Sequence, residues 1–233
     1  MKSLLILALF VTYGLCGVAQ KLNFTTNAES GAVNTLRIDN DEMNWLLATD
    51  GSQYGWVGDK YEFGLGYMTI DGERQEWQKI VGNRYKLKGV EIERIRTVDD
   101  ATGDIVERYM FANTSNEDKN LTDIGIYVPM NDNYPDSKTC MTMRCHAHVW
   151  TGGDVAYVKC VRMNGQGPHL GLLLTEGELT NYDIWERGQD KWMSNFRGII
   201  ALCPPDKVLR SGESFAILQR MGVQRVHLSA HEW

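Results

Sequence analysis

Thr139-Cys-Met-Thr-Met-Arg-Cys-His-Ala-His-Val-Trp150, then Thr151-Gly-Gly-Asp154, then Val155-Ala-Tyr-Val-Lys-Cys-Val-Arg-Met163 reads as two β-rich runs around a tight reversal. Gly152-Gly153 suits a two-residue primed turn, which would place Thr151 opposite Asp154 and Cys145 opposite Cys160. In that register Trp150, His148 and His146 face Val155, Tyr157 and Lys159. Cys145, Ala147 and Val149 then form a small apolar face that belongs to a core. The opposite face carries Arg144, His146, His148 and Trp150, two residues apart. A one-residue slip would bury the histidines, so the register should be strongly specified.

Upstream of this hairpin the chain keeps strand period. Candidate strands lie near Thr35 to Ile38 and Trp45 to Ala48, followed by a glycine-punctuated loop whose Tyr54 and Trp56 read as caps on the end of a sandwich. Tyr61 to Thr69 alternates, Asp71-Gly72 supplies a hairpin turn, and Trp77 then falls opposite Gly66, where an aromatic over a strand glycine stabilises the pair. Val90, Ile92 and Ile95 change phase, which predicts a bulge. Asp99 to Asp104 turns the chain, Ile105 to Asn113 returns with Ile105, Tyr109 and Phe111 on one face, and Leu121 to Met130 aligns Ile124, Ile126, Val128 and Met130.

Downstream, Leu170 to Thr175 has the uniform apolarity of a central strand, while Tyr182 to Trp192 reads as an exposed excursion. Phe196 to Cys203 and Ser214 to Gln219 are the last strands. At least a dozen short strands without long helical periodicity predict an all-β fold, a large antiparallel β-sandwich.

The 233 residues suffice for one full core, and the net charge of −6 with scattered basic residues gives no footprint for nucleic acid or an anionic membrane. Lys2, the apolar run Leu4 to Val11 and Gly17-Val18-Ala19 read as a secretory signal peptide over residues 1–19. No later stretch has the apolarity of a membrane helix. The product is expected to be secreted or periplasmic, which permits disulfides. Cys145 and Cys160 are a candidate pair, although directly opposed β residues strain such a bond, and two buried thiols are the plainer reading.

A resemblance covers most of the chain after residue 19. Asn113-Thr-Ser, Asp123-Ile-Gly-Ile-Tyr-Val-Pro-Met130, Asn131-Asp-Asn-Tyr134, Cys145 to Asp154, Arg162-Met-Asn-Gly-Gln-Gly-Pro-His-Leu-Gly171, Ser194-Asn-Phe-Arg-Gly198 and Leu209-Arg-Ser-Gly-Glu-Ser-Phe215 occur in an order found elsewhere. Together these resemble the N-terminal β-supersandwich domain, galactose-mutarotase-like, of exported bacterial six-hairpin glycosidases. The resemblance implies a sandwich over residues 20–221 that docks an (α/α)6-barrel catalytic domain, absent from this chain, which would hold the catalytic carboxylates. Residues 222–233 do not look like the connection to such a barrel and are expected to be the non-native end of a truncated product.

Glycoside hydrolysis needs two carboxyl groups roughly 5 to 9 Å apart, and the thirty acidic residues read as solvated strand and loop charges with no pair singled out. No catalytic residue is therefore expected here. His146 and His148 share a face with Cys140 in this reading, but zinc needs three or four converging ligands, and His169 is the only other nearby candidate. No metal or other cofactor is expected. Arg144, His146, His148 and Trp150, joined by Trp185 and Trp192, offer the mixture of aromatic faces and polar groups that contacts sugars or a docked domain. Three functional readings follow. One is a non-catalytic accessory domain of a polysaccharide-degrading glycoside hydrolase, another is a free-standing carbohydrate-binding module, and the third is an intact small hydrolase or epimerase.

Overall fold

The computed structural model describes residues 20–47, 62–77, 83–132, 137–152, 155–185 and 199–224. Residues 1–19, read above as a signal peptide, lie outside them, as do Tyr54, Trp56, Trp192 and residues 225–233. In chain order the strands are β1 (Leu22–Thr26), β2 (Val33–Ile38), β3 (Gly66–Ile70), β4 (Glu73–Trp77) and β5 (Arg84–Leu87). Then come β6 (Val90–Val98), β7 (Ile105–Asn113), β8 (Lys119–Val128), β9 (Cys145–Gly152) and β10 (Val155–Arg162). The last are β11 (His169–Glu176), β12 (Asn181–Trp185), β13 (Ile199–Cys203), β14 (Lys207–Leu209) and β15 (Ser214–Gln224). One short helix, α1 (Ser137–Met143), precedes β9.

Two antiparallel sheets face each other. The larger runs β5-β6-β7-β15-β11-β10-β9 and the other β12-β13-β8-β3-β4, with β1 and β2 forming a separate pair. The fold is the expected large antiparallel β-sandwich. Its interior is aromatic where the sheets meet: Trp77 of β4 sits edge-on to Phe111 of β7 at 6.0 Å, and Phe111 stacks on Phe215 of β15 at 4.8 Å.

The β3–β4 hairpin forms as its turn residues require. Asp71 and Gly72 both take positive φ, Ile70 pairs with Glu73, and Trp77 lies opposite Gly66. A Cβ at Gly66 would overlap both the Trp77 ring and the Gly125 carbonyl, so glycine is required for close approach.

Several expectations are corrected. β6 has no bulge: its pairing with β7 is continuous from Val90 to Val98, and Arg94, not Ile95, takes the inward position. Trp45 to Leu47 form no strand, Leu46 makes a single bridge to Met130, and Ala48 lies outside the described residues. Asn181–Trp185 of the supposed excursion is β12, paired with β13. Residues 139–143 belong to α1, which removes Cys140 from the histidine face and buries it against the fold. β15 also continues through Gln224, three residues into the segment set apart as a tail.

Nor are all acidic residues solvated. Glu107, 1% exposed on β7, accepts hydrogen bonds from Arg96 Nε at 2.6 Å, Tyr109 Oη at 2.5 Å and Gln219 Nε2 at 3.0 Å. Arg94 beside it donates to the carbonyls of Gly64 and Ser30, and Glu62 accepts from Ser30 Oγ and Asn27 Nδ2. A carboxylate and guanidinium taken from water persist only when paired and hydrogen-bonded in this way.

Burial also pushes the Tyr85 hydroxyl up to about 12, while its O–H donates to Ser30 O at 3.0 Å; burial and the Glu107 charge raise Tyr109 further. A tyrosine whose folded pKa lies above its unfolded value of about 10 contributes stability below pH 10 and loses it as pH rises through the folded value. Denaturant midpoints of the native chain should therefore fall between pH 10 and 12. The Tyr85 share is about 2–3 kcal/mol, and Tyr85→Phe should flatten that part of the profile. An equally steep fall in the variant would contradict the assignment.

Candidate functional site

The β9–β10 hairpin places the candidate face. Gly152 pairs with Val155, Tyr157 with Trp150, Lys159 with His148, Cys160 with Ala147 and Arg162 with Cys145. The register thus differs from the expected one by two residues: the link is residues 153 and 154, outside the described residues, and not Gly152-Gly153. A two-residue shift preserves the parity of side chains, so each face keeps its composition. Cys145, Ala156, Val158 and Cys160 are buried; His148 is exposed, His146 is half-buried, and Trp150 is 56% exposed. The two imidazole rings are 6.3 Å apart.

Arg162 is the last residue of β10 and falls on the inward face, where its charge is paired. It forms an ion pair with Asp41, donates to Thr142 O at 2.7 Å, and lies over the Trp45 ring at 5.6 Å. Cys145 and Cys160 are therefore diagonal and not opposed, and both carry free thiols. The hydrogen bond between them, with burial, holds the Cys145 thiol well above the usual range.

The remaining candidates do not all converge. Arg144 is half-buried just before β9, with Nη1 donating to Met143 O at 2.8 Å. Trp185 ends β12, in the other sheet, and Trp192 lies outside the described residues. His169 is buried at the start of β11, its Nδ1 accepting from the Arg162 backbone N–H. Among the described residues no group of three His, Cys, Asp or Glu side chains could hold a metal ion, and no helix is long and apolar enough to cross a membrane.

What sequence reading misses is how far this face extends. Through the registers of β10, β11 and β15, the row begun by Trp150 continues with Tyr157, Leu173 and Arg220. The adjacent row runs His148, Lys159, Gly171 and Gly222. Where the two glycines adjoin, the sheet has no side chains and a trough of about 360 Å³ opens, walled by Tyr157, Lys159, Leu173, Arg220 and Asp104. Asp104 leans over Gly222, where a Cβ would come within 2.8 Å of its carboxyl carbon. Arg220 is held in place by Asp104 at 2.6 Å, by Asp99, and by Thr102 Oγ1 at 3.1 Å. That bond from Arg220 holds the Asp99 carboxyl below the usual range. Strand spacing alone could have found the rows only with all three registers in hand.

No family model matches the chain, and no curated protein matches it. Among solved structures it is similar to a polysaccharide lyase, with 40% identity and a TM-score of 0.84 over 89% of this chain and 33% of the other. The chain thus spans about a third of that lyase's length. It also aligns with a protein assigned as a kojibiose phosphorylase from the human microbiome, at 9% identity and a TM-score of 0.43 over 88% of this chain and 26% of the other, too distant to carry an argument. The first similarity associates this β-sandwich with a carbohydrate-active enzyme.

Proposed function

We propose that this chain is the non-catalytic β-sandwich domain of an exported polysaccharide-degrading enzyme and that it works docked to a helical catalytic barrel of the (α/α)6 type. The observation that carries the reading is the 40% identity to a third of a polysaccharide lyase. It moves the reaction class from hydrolysis toward elimination. The accessory role is supported by the trough, whose lining carboxylate, Asp104, is engaged by Arg220. Hydrolysis by a carboxyl pair needs a second acid across the bond, and the lining offers none.

Docking is supported by the length of the similar lyase, of which this chain spans about a third, and by Met141, an exposed apolar side chain on α1. The apolar run Leu4 to Val11 behind Lys2 supports export.

The purified chain should neither raise the ultraviolet absorbance of unsaturated uronate products nor release reducing ends from a panel of acidic and neutral polysaccharides. Turnover by this chain alone would end the accessory reading.

A further inference from the structure

We infer that the trough over Gly171 and Gly222 is a saccharide subsite, taking one pyranose ring of a glycan segment laid across strands β9, β10, β11 and β15. This deepens the carbohydrate reading above and rests on it.

The two side-chain rows differ in chemistry. Trp150, Tyr157 and Leu173 offer aromatic and aliphatic surface, with Trp150 at 56% and Leu173 at 45% exposure. His148 and Lys159 in the next row, and Arg220 and Asp104 at the far wall, offer donors and acceptors beside it. A pyranose has the matching pair of surfaces, a C–H face that packs on rings and a rim of hydroxyls that both donate and accept.

Sheet geometry sets the length. From β9 to β15 is three strand spacings, roughly 14 Å, which suits a short run of sugar units and exceeds a single ring. The missing side chain at Gly171 lets one ring sit on backbone, with the Asp104 carboxyl over Gly222 as the end wall, and a volume of about 360 Å³ falls at the lower end of small-ligand sites.

Charge selects among occupants. Arg220 is neutralised by Asp99 and Asp104, so its charge is balanced within the wall. Donors and acceptors are interleaved, which complements hydroxyl groups better than the dense negative charge of a phosphate. The fixed ion pair also presents its groups without further ordering cost, since both partners are already held.

Isothermal calorimetry on the full chain tests this, with hexasaccharides prepared from xylan, mixed-linkage glucan, mannan, polygalacturonate and alginate as probes. At least one should bind saturably, with affinity little changed by added salt. Tyr157→Ala and Trp150→Ala should each weaken binding by about tenfold. Val208→Ala, at an exposed apolar site on β14, should leave it unchanged. Thermal melts confirm that each variant is folded, and Lys159→Ala, which removes a partner at the wall without touching the core, gives a second weakened variant.

No binding by any probe, binding indifferent to both aromatic substitutions, or binding abolished by salt would overturn the subsite. The outcome is separable from the accessory reading. Absence of binding without turnover removes the subsite alone, whereas turnover removes the accessory role whether or not Tyr157 matters.

Discussion

Glu107→Gln should cost about 3–5 kcal/mol of folding stability, the range for breaking one side of a buried ion pair. The substitution keeps the shape of the side chain while leaving the Arg96 guanidinium without its counter-charge at a site that is 1% exposed. Tyr109 and Gln219 lose the carboxylate to which they donate. Denaturant titration should show a lower midpoint with an unchanged slope, the sign of lost stability without altered compactness. Combining Glu107→Leu with Arg96→Met removes both charges and should recover part of the loss, since paired removal spares the uncompensated ion. A single variant as stable as the native chain would mean that water reaches Glu107.

Gly66→Ala and Gly125→Ala should each prevent recovery of folded protein. The new methyl at residue 66 would overlap the Trp77 ring and the Gly125 carbonyl, and at residue 125 it would overlap the Tyr67 ring. Neither neighbour can yield, because Trp77 is locked against Phe111 and Tyr85, and Tyr67 lies between the Arg74 guanidinium at 3.9 Å and Tyr127 at 5.6 Å. Trp77→Ala errs in the opposite direction, leaving a cavity, and should cost about 3–5 kcal/mol. Circular dichroism and thermal melts check all three. A soluble Gly66→Ala chain with the native melting temperature would contradict the close packing of β3, β4 and β8.

Trp77 over Gly66 was legible from residues because Asp71-Gly72 is a specific turn signal with one register. The β9–β10 turn was not, because Gly152-Gly153 and Gly153-Asp154 both satisfy the same turn chemistry. The error of two residues left the faces intact, so the open histidine and tryptophan row stood while the Cys145–Cys160 opposition did not. Arg94 and Glu107 were misread for a different reason. Alternation treats a charged residue as outward-facing, and only the three-dimensional neighbours, Ser30, Gly64 and Gln219, supply the partners that allow inward placement. The trough escaped notice because Gly171 and Gly222 are fifty residues apart and are brought together only by the pairing of β11 with β15.

That pairing has a further consequence for biogenesis. β7 and β11 share a single neighbour, and it is β15, the last of the described strands. Until residues 214–224 clear the ribosome, the larger sheet exists only as two halves, β5-β6-β7 and β11-β10-β9, each with a bare edge where the missing strand belongs. Such edges recruit stray strands and favour misassembly. The sandwich should therefore lean on a chaperone until β15 has emerged, and close in one cooperative insertion.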